Sequence, residues 1–370
     1  MAKARVTRSA FLEDRQGIKF ADVVNDPEQP FDSVLAFFDD ADRQRRMQES
    51  ELQHDRAPLA GVVRELESQP EIDRFLTGIH TRRFVEKGTG ASDLAAPACK
   101  QALEMAGVEA SELDGLIVAT ITPDMLFPNA SALLGDKIGA NGAFACDVSA
   151  ACSGWVYAAS LAHGMIAAGT AKKIMVVGVD ILSVRLDMED RNTCVLFGDG
   201  AGATLFERLP EGEEGVLALE LGADGAGAEF LYQPAGGSVK PPSIETVQNK
   251  EHYVVQDGQA VFKAAVDGMA RVTKNVLELA GEKGENVALF VPHQANLRII
   301  EYARRKAKMD PSKVMITIDR YGNTTAATIP SSLAVAQEEG KLKKGDLVMT
   351  STFGAGFTWG AMALRWQIDS

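Results

Sequence analysis

Three residues of this chain are of the types that together perform nucleophilic acyl chemistry: Cys152, His293 and Asn323. Cys152 lies in Ala143–Gly178, which opens as an apolar, strand-like run and bends through small residues. A helix-length segment of Ala, Ser and Leu follows, and the stretch ends in a β-branched run. The cysteine falls where that helix begins. Unpaired backbone N–H groups and the positive end of the helix dipole favour a thiolate there. Its neighbours Ala150, Ala151, Ser153 and Gly154 are small enough to let a substrate reach the sulfur. Taken alone, Cys152 would equally serve as a small buried hydrophobe. His293 taken alone would be a structural histidine, and Asn323 in Tyr-Gly-Asn-Thr-Thr a turn or N-cap residue. Together the bland readings would all have to hold by coincidence, so the three read as one site built on a nucleophile.

Positioning these groups requires a sheet whose strand ends meet helix starts. The strand–helix–strand order around Cys152 argues for parallel strands, whose C-terminal ends gather binding sites. Leu116–Thr120, Ile174–Val179, Gly202–Glu207 and Val216–Leu221 are predicted strands, as are Val287–Val291, Lys313–Thr317, Leu347–Thr352 and Ala361–Trp366. Ser92–Gly107 reads as an amphipathic helix closed by glycine, and residues from about Gln259 to Ala280 as another. An internal echo links the two halves. Cys152 precedes Gly169 by 17 positions (169 − 152), as Asn323 precedes Gly340 (340 − 323), and each glycine leads to a Lys-Lys pair and a strand. This predicts a duplicated α/β fold with Cys152 and Asn323 at equivalent helix starts. The expected division is an atypical, partly helical segment 1–70, a first half 71–213 bearing the cysteine, and a second half 214–370 bearing the histidine and asparagine. Within 1–70, Phe31–His54 reads as a charged helix, and Pro58–Leu76 as a further one.

Composition narrows the class. The chain has 370 residues, 46% of them hydrophobic, enough for a large core. Its four cysteines and five scattered histidines form no C-x-x-C pair or ligand cluster, so neither a disulfide scaffold nor a metal site is expected. A reducing, cytoplasmic setting follows, with no membrane span, since no apolar run approaches the roughly 20 residues required. A net charge of −13 argues against nucleic acid as a partner, while leaving room for a local basic patch. Phe197-Gly-Asp-Gly-Ala-Gly-Ala203 leads into a strand rather than a helix, which removes the helix N-terminus a dinucleotide needs. Phe353–Phe357 reads as a turn between strands, either plain or with N–H groups facing a substrate. A papain-type hydrolase shares the Cys, His, Asn order but needs an upstream glutamine absent here.

DVSAACSGW (147–155), VPHQANLRII (291–300), YGNTTAATIP (321–330), FGDGAGA (197–203) and FGAGFTWG (353–360) resemble, in order, the signature blocks of the 3-oxoacyl-acyl-carrier-protein synthase III family of the thiolase superfamily. The likeness runs from about Thr77 to Trp366. It implies an α/β, thiolase-like duplicated five-layer α-β-α-β-α fold, a homodimer, and the catalytic set Cys152, His293 and Asn323. The N–H groups of Cys152 and Ala355 would form the oxyanion hole. The implied reaction loads an acyl group on Cys152 and then condenses it, with decarboxylation, onto malonyl-acyl-carrier protein. Acyl-CoA or acyl-carrier thioesters would be substrates, with no resident cofactor. The resemblance assigns Phe127 and Phe197 to the acyl pocket, Phe127 reaching across the dimer, and Arg191 to the coenzyme A nucleotide. Lys263, Arg298 and Arg305, with Arg304, Lys306 and Lys308, would dock an acidic carrier protein. Two features depart from the family pattern. Ile72 and Leu76 stand where members carry a tryptophan and an arginine against the adenine, and a charged segment replaces the usual glycine-rich first strand. Both point towards relatives of specialised pathways, which form quinolone, pyrone or polyketide starters or transfer acyl groups to a hydroxyl.

Overall fold

The structure, a computed structural model, describes residues 4–11, 17–18, 63–67 and 77–368. Its strands in chain order are Ala4–Phe11 (β1), Gly17–Ile18 (β2), Val63–Glu67 (β3), Thr81–Val85 (β4), Gly115–Ala119 (β5), Phe144–Val148 (β6), Lys173–Asp180 (β7) and Gly200–Arg208 (β8). Val216–Ala223 (β9), Leu231–Tyr232 (β10), Val255–Gln256 (β11), Leu289–Pro292 (β12), Leu347–Gly354 (β13) and Thr358–Arg365 (β14) follow. The longer helices are Ala91–Ala106 (α1), Ala130–Ile138 (α2), Gly154–Ala168 (α3), Gly258–Leu279 (α4), Leu297–Lys306 (α5) and Thr328–Glu338 (α6).

The strands form two main sheets, β1-β8-β7-β5-β6 and β9-β14-β13-β12. Each contains one unit repeated. A parallel pair (β5 with β7, β12 with β13) continues into an antiparallel one (β7 with β8, β13 with β14), and a further antiparallel strand (β1, β9) is added. Each copy's inner helix is followed by a left-handed glycine, Gly169 (φ 80°) and Gly340 (φ 67°), as the echo predicts. Strands β5, β7 and β13 are buried on both faces, which explains the apolar runs of β5 and β7, while β13 also buries Thr350, Ser351 and Thr352. Leu116 and Val118 face α1 and α2, whereas Ile117 and Ala119 face the molecular centre. There α3 and α6 lie between the sheets, with Trp155, Ile166, Leu333 and Val335 against Ile174, Phe206, Val348 and Met362. Helix α3 buries Trp155, Val156, Ala158, Ala159, Ala162 and Ile166 here, while Leu161 stays exposed. On the far side, Met269 and Val276 of α4 and Ile299 of α5 cover Phe290 and Met349. The layers therefore run helix, sheet, helix, sheet, helix.

Three expectations are corrected. Within Pro58–Leu76, Val63–Glu67 is a strand rather than helix, because its alternating residues pair antiparallel with the edge of β4. A first strand is present after all: Ala4–Phe11 pairs with β8, since the free edge of β8 supplies backbone partners whatever the glycine content of the added strand. Lys313–Thr317 is no strand beyond a bridge between Val314 and Phe290. Pro311 starts a tight turn before it, and Gln294 Oε1 accepts the N–H groups of Thr317 and Ile318 at 2.9 and 3.1 Å, diverting the backbone. The expected helix Phe31–His54 and the positions Ile72 and Leu76 lie outside the described residues.

The two halves approach most closely where β7 meets the segment before α6. A Cβ on Gly178 would stand 2.2 Å from the backbone oxygen of Ala326, a contact that neither chain can relieve without moving. Gly178→Ala is expected to lower stability by about 1–3 kcal/mol, the usual range for overpacking, read as a fall in the thermal midpoint.

Candidate active site

Cys152 sits in a single 3₁₀ turn, Ala151–Ser153, that feeds directly into α3. Ala151 holds φ at 45°, a left-handed conformation costly for alanine, so the turn is held by its surroundings. Those come from the other half of the chain. Thr352 Oγ1 on β13 donates to the Cys152 carbonyl at 2.9 Å, and Thr358 Oγ1 on β14 donates to the Ala150 carbonyl at 3.1 Å. A Cβ on Gly354 would lie 3.0 Å from Cys152 N, which shows how closely the β13–β14 turn closes over the cysteine. The backbone N–H groups of Cys152 itself and of Ala355 lie within hydrogen-bonding reach of its sulfur.

Burial pushes the Cys152 thiol up to about 12, the negative charge of Asp180 adds to the shift, and the two amides oppose it. The resting group is therefore a thiol. The thiolate expected from the helix start is overridden, because desolvating a sulfur that is 6% exposed outweighs the dipole.

His293 follows β12, and its N–H donates to the carbonyl of Ser351 at 2.8 Å. Ser351 precedes Thr352, so neighbouring residues of β13 anchor the histidine and the cysteine. The imidazole is buried and bonded through Nδ1 to Thr328 Oγ1 at 2.7 Å. Burial pulls its pKa down to about 3, leaving the ring neutral at physiological pH. Asn323 is clamped by its backbone, donating to the Leu196 carbonyl and accepting from Gly198 N–H, both at 3.0 Å. Its Oδ1 accepts the N–H of Thr325 at 3.0 Å, which turns the side-chain NH₂ away from that turn.

Asp180, at the end of β7, ties this asparagine segment to the first half. Its Oδ1 accepts from Thr120 Oγ1 (3.1 Å), Ile121 N (2.8 Å) and Thr122 Oγ1 (3.0 Å). Its Oδ2 accepts from Thr325 Oγ1 and from Ala326 N–H. Ala326 in turn lies against the cysteine helix: a Cβ on Gly154 would be 3.4 Å from its Cβ. Cys152, His293 and Ala355 thus meet around the end of β13, and Asn323 is joined to His293 through the turn 325–328, which packs against the cysteine turn. Asp180, Thr328, Thr352 and Thr358 were not singled out by the sequence. The one available signal was a carboxylate closing the apolar run Ile174–Val179.

The remaining expected residues fall in three places. Phe197 is buried beside Leu182 and Leu186 and bridges to Asn323. Phe127 is 84% exposed in a loop with the likewise exposed Leu126 and Met125. Arg191 opens a helical turn capped by Asp190. Lys263 is exposed on α4 beside Phe262, and the guanidinium of Arg298 lies 4.8 Å over the Phe262 ring, so α4 and α5 present both cations together. Arg305 is exposed and pairs with Glu301 at 3.6 Å. Arg304 is a correction to the expected basic patch. It is buried, with bonds to both Glu301 oxygens and to the Met309 carbonyl at 2.5–2.7 Å, and closes the end of α5.

Residues 146–225 match the family described as 3-Oxoacyl-[acyl-carrier-protein (ACP)] synthase III, and residues 277–366 match its C-terminal part. The Beta-ketoacyl-[acyl-carrier-protein] synthase III of Syntrophomonas wolfei is 47% identical over 79% of this chain and 88% of its own length. The chain belongs to the synthase III family. Among solved relatives, 3-oxoacyl-[acyl-carrier-protein] synthase III from Aquifex aeolicus VF5 superposes with a TM-score of 0.74 at 40% identity, covering 81% of this chain and 92% of that one. The priming beta-ketosynthase from the R1128 polyketide pathway gives 0.76 at 30% identity, covering 83% and 93%. The five layers are those of this thiolase-like family.

A thiol raised to about 12 ionises little at neutral pH and progressively more as pH rises. Alkylation of Cys152 by iodoacetamide, followed by intact mass with Cys152→Ala as control, should be slower at pH 7 than for a free cysteine, whose pKa is about 8.5, and should still be climbing above pH 9.

Proposed function

We propose that this protein is a condensing enzyme that takes an acyl group onto Cys152 and joins it, with loss of carbon dioxide, to a malonyl thioester carried by an acyl carrier protein. The observation that carries this reading is the sulfur within reach of two backbone N–H groups, with a neutral histidine anchored to the same strand and an asparagine joined to that histidine through the turn 325–328.

In the first half-reaction the sulfur of Cys152 attacks the thioester carbonyl. The oxygen takes the negative charge against the N–H groups of Cys152 and Ala355. Collapse expels the donor's thiolate, and the proton given up by Cys152 ends on that leaving sulfur, so no other group need hold it. In the second, the malonyl thioester oxygen lies against His293 and the Asn323 NH₂. Carbon–carbon cleavage releases carbon dioxide and leaves an enolate whose charge falls on that oxygen. The enolate carbon attacks the acyl-cysteine carbonyl, whose oxygen again enters the N–H pair. Expulsion of the Cys152 thiolate releases the 3-oxoacyl thioester. A neutral imidazole suits this role, since it can donate one hydrogen bond without the cost of a buried cation.

The exposed cations Lys263 and Arg305, with the half-buried Arg298 lying over the Phe262 ring, offer an acidic carrier a landing surface on an otherwise acidic protein, and Arg191 a contact for coenzyme A. The apolar tip at Phe127 supports a homodimer in which it closes the partner's acyl pocket beside Phe197. Among the described residues no helix is long and apolar enough to cross a membrane, and we read the setting as cytoplasmic. The likeness to a polyketide priming synthase supports a second reading, starter formation for a specialised product, in which the same Cys152 carries the acyl group.

Incubation with a panel of acyl-CoA and acyl-carrier thioesters, read by intact mass, should place a single acyl adduct on Cys152 and none on Cys152→Ala. Malonyl-carrier should then discharge the adduct with release of carbon dioxide; discharge by a hydroxyl or amine acceptor instead would overturn condensation. Removing His293 or Asn323 should cut condensation by about 100-fold or more, the usual effect of losing an oxyanion donor. Lys263→Glu and Arg298→Glu should raise KM for the malonyl-carrier while leaving kcat nearly unchanged, a split measurable by steady-state kinetics.

A further inference from the structure

We infer that Thr328 fixes the tautomer of His293, holding the single ring proton on Nε2 so that the imidazole meets the substrate oxygen as a donor. The inference deepens the condensing reading of the site and rests on it.

A neutral imidazole carries one proton and has two nitrogens to place it on. Nδ1 of His293 is 2.7 Å from Thr328 Oγ1, and Nε2 is buried with no hydrogen-bond partner among the described residues. Whichever role Thr328 takes towards Nδ1 therefore decides what Nε2 offers. The Thr328 hydroxyl has one proton and two acceptors within reach, His293 Nδ1 at 2.7 Å and the Thr325 carbonyl at 3.0 Å. The Thr325 carbonyl already accepts the backbone N–H of Thr328, which closes the 3₁₀ turn Thr325–Ala327. It keeps a hydrogen bond if the hydroxyl turns away. The 2.7 Å contact fits either direction, and the assignment rests on the charge that develops at Nε2: a hydroxyl donating to Nδ1 leaves Nδ1 the acceptor and puts the ring proton on Nε2, facing the oxygen that turns negative. The reverse arrangement would point an Nε2 lone pair at an oxygen that gains negative charge, and the histidine would then oppose the enolate.

The same turn that carries Thr325 and Thr328 is pinned by Asp180 through Thr325 Oγ1 and Ala326 N–H. The hydroxyl that orients His293 and the N–H that orients Asn323 thus come from one rigid segment. Both donors to the thioester oxygen are set by a single turn. Thr328 does not itself touch the substrate in this scheme; it is a positioning residue.

The direct test is the ring-nitrogen NMR spectrum of the full chain labelled with ¹⁵N-histidine, with the His293 signals assigned by their loss in His293→Asn. At neutral pH the protonated, pyrrole-type nitrogen should be Nε2 and the bare one Nδ1. A proton on Nδ1 in the unmodified protein overturns the inference, whatever the reaction. In Thr328→Val the Nε2–H signature should weaken or move to Nδ1. Decarboxylation of malonyl-carrier should fall by about 100-fold, the size of a lost oxyanion donor, while acyl loading of Cys152 falls by less than about tenfold. Thr328→Ser, which keeps the hydroxyl, should restore both the spectrum and decarboxylation to near the parent level. A serine variant as impaired as valine, or an unchanged spectrum in Thr328→Val, would mean that the methyl packing matters and the hydroxyl does not. If the unmodified protein loads acyl groups but never decarboxylates malonyl-carrier, the condensing reading fails while the spectrum still judges the tautomer.

Discussion

The carboxylate of Asp180 is the constraint on which the site depends. A carboxylate enclosed between two sheets has lost its water and persists only if protein donors replace it. Asp180 receives three hydrogen bonds on Oδ1 from the loop after β5 and two on Oδ2 from the turn before α6, so each half of the duplicated chain holds one oxygen of the same carboxylate. That joint fixes the distance between the helix start bearing Cys152 and the segment bearing Asn323. It has a chemical cost as well, because its charge raises the neighbouring thiol further.

Burial then acts on the two ionisable members of the site in opposite directions. It raises the acid Cys152 and lowers the base His293, and each change favours the uncharged form. The resting site is consequently neutral at both groups. An environment that disfavours fixed charge gives more weight to each aligned N–H when charge develops on a substrate oxygen. In the reaction we propose, four such donors serve two different oxygens: the amides of Cys152 and Ala355 one, and His293 and Asn323 the other.

Much of this was legible in the chain. Strands buried on both faces, β5 and β7 among them, write themselves as apolar runs, and the two copies share a helix, a glycine and a lysine pair, so the duplicated sheet could be read from residues 113–366. Cys152, His293 and Asn323 stood out because each is a reactive type at an element boundary. What was hidden depended on tertiary neighbours. Val63–Glu67 is a strand because β4 offers it an edge, and Lys313–Thr317 fails to become one because Gln294 takes its amide protons. Arg304 reads as surface charge in a basic run, yet Glu301 and the Met309 carbonyl draw it inward. The thiol state of Cys152 was misjudged for a related reason: a helix start is visible in sequence, but the degree of enclosure is not.

The pairing of β1 with β8 bears on how the chain reaches this state. Ser9 lies opposite Thr204, a separation of 195 positions (204 − 9). A strand whose partner is made so much later spends most of synthesis without it, and the outer edge of the first sheet stays open until residue 208 has emerged. Long-range pairing of this kind slows folding and leaves strand edges available to other chains in the interval. Closure of the first sheet is thereby made a late event, in which the earliest strand of the chain waits for one of the last strands of its own sheet.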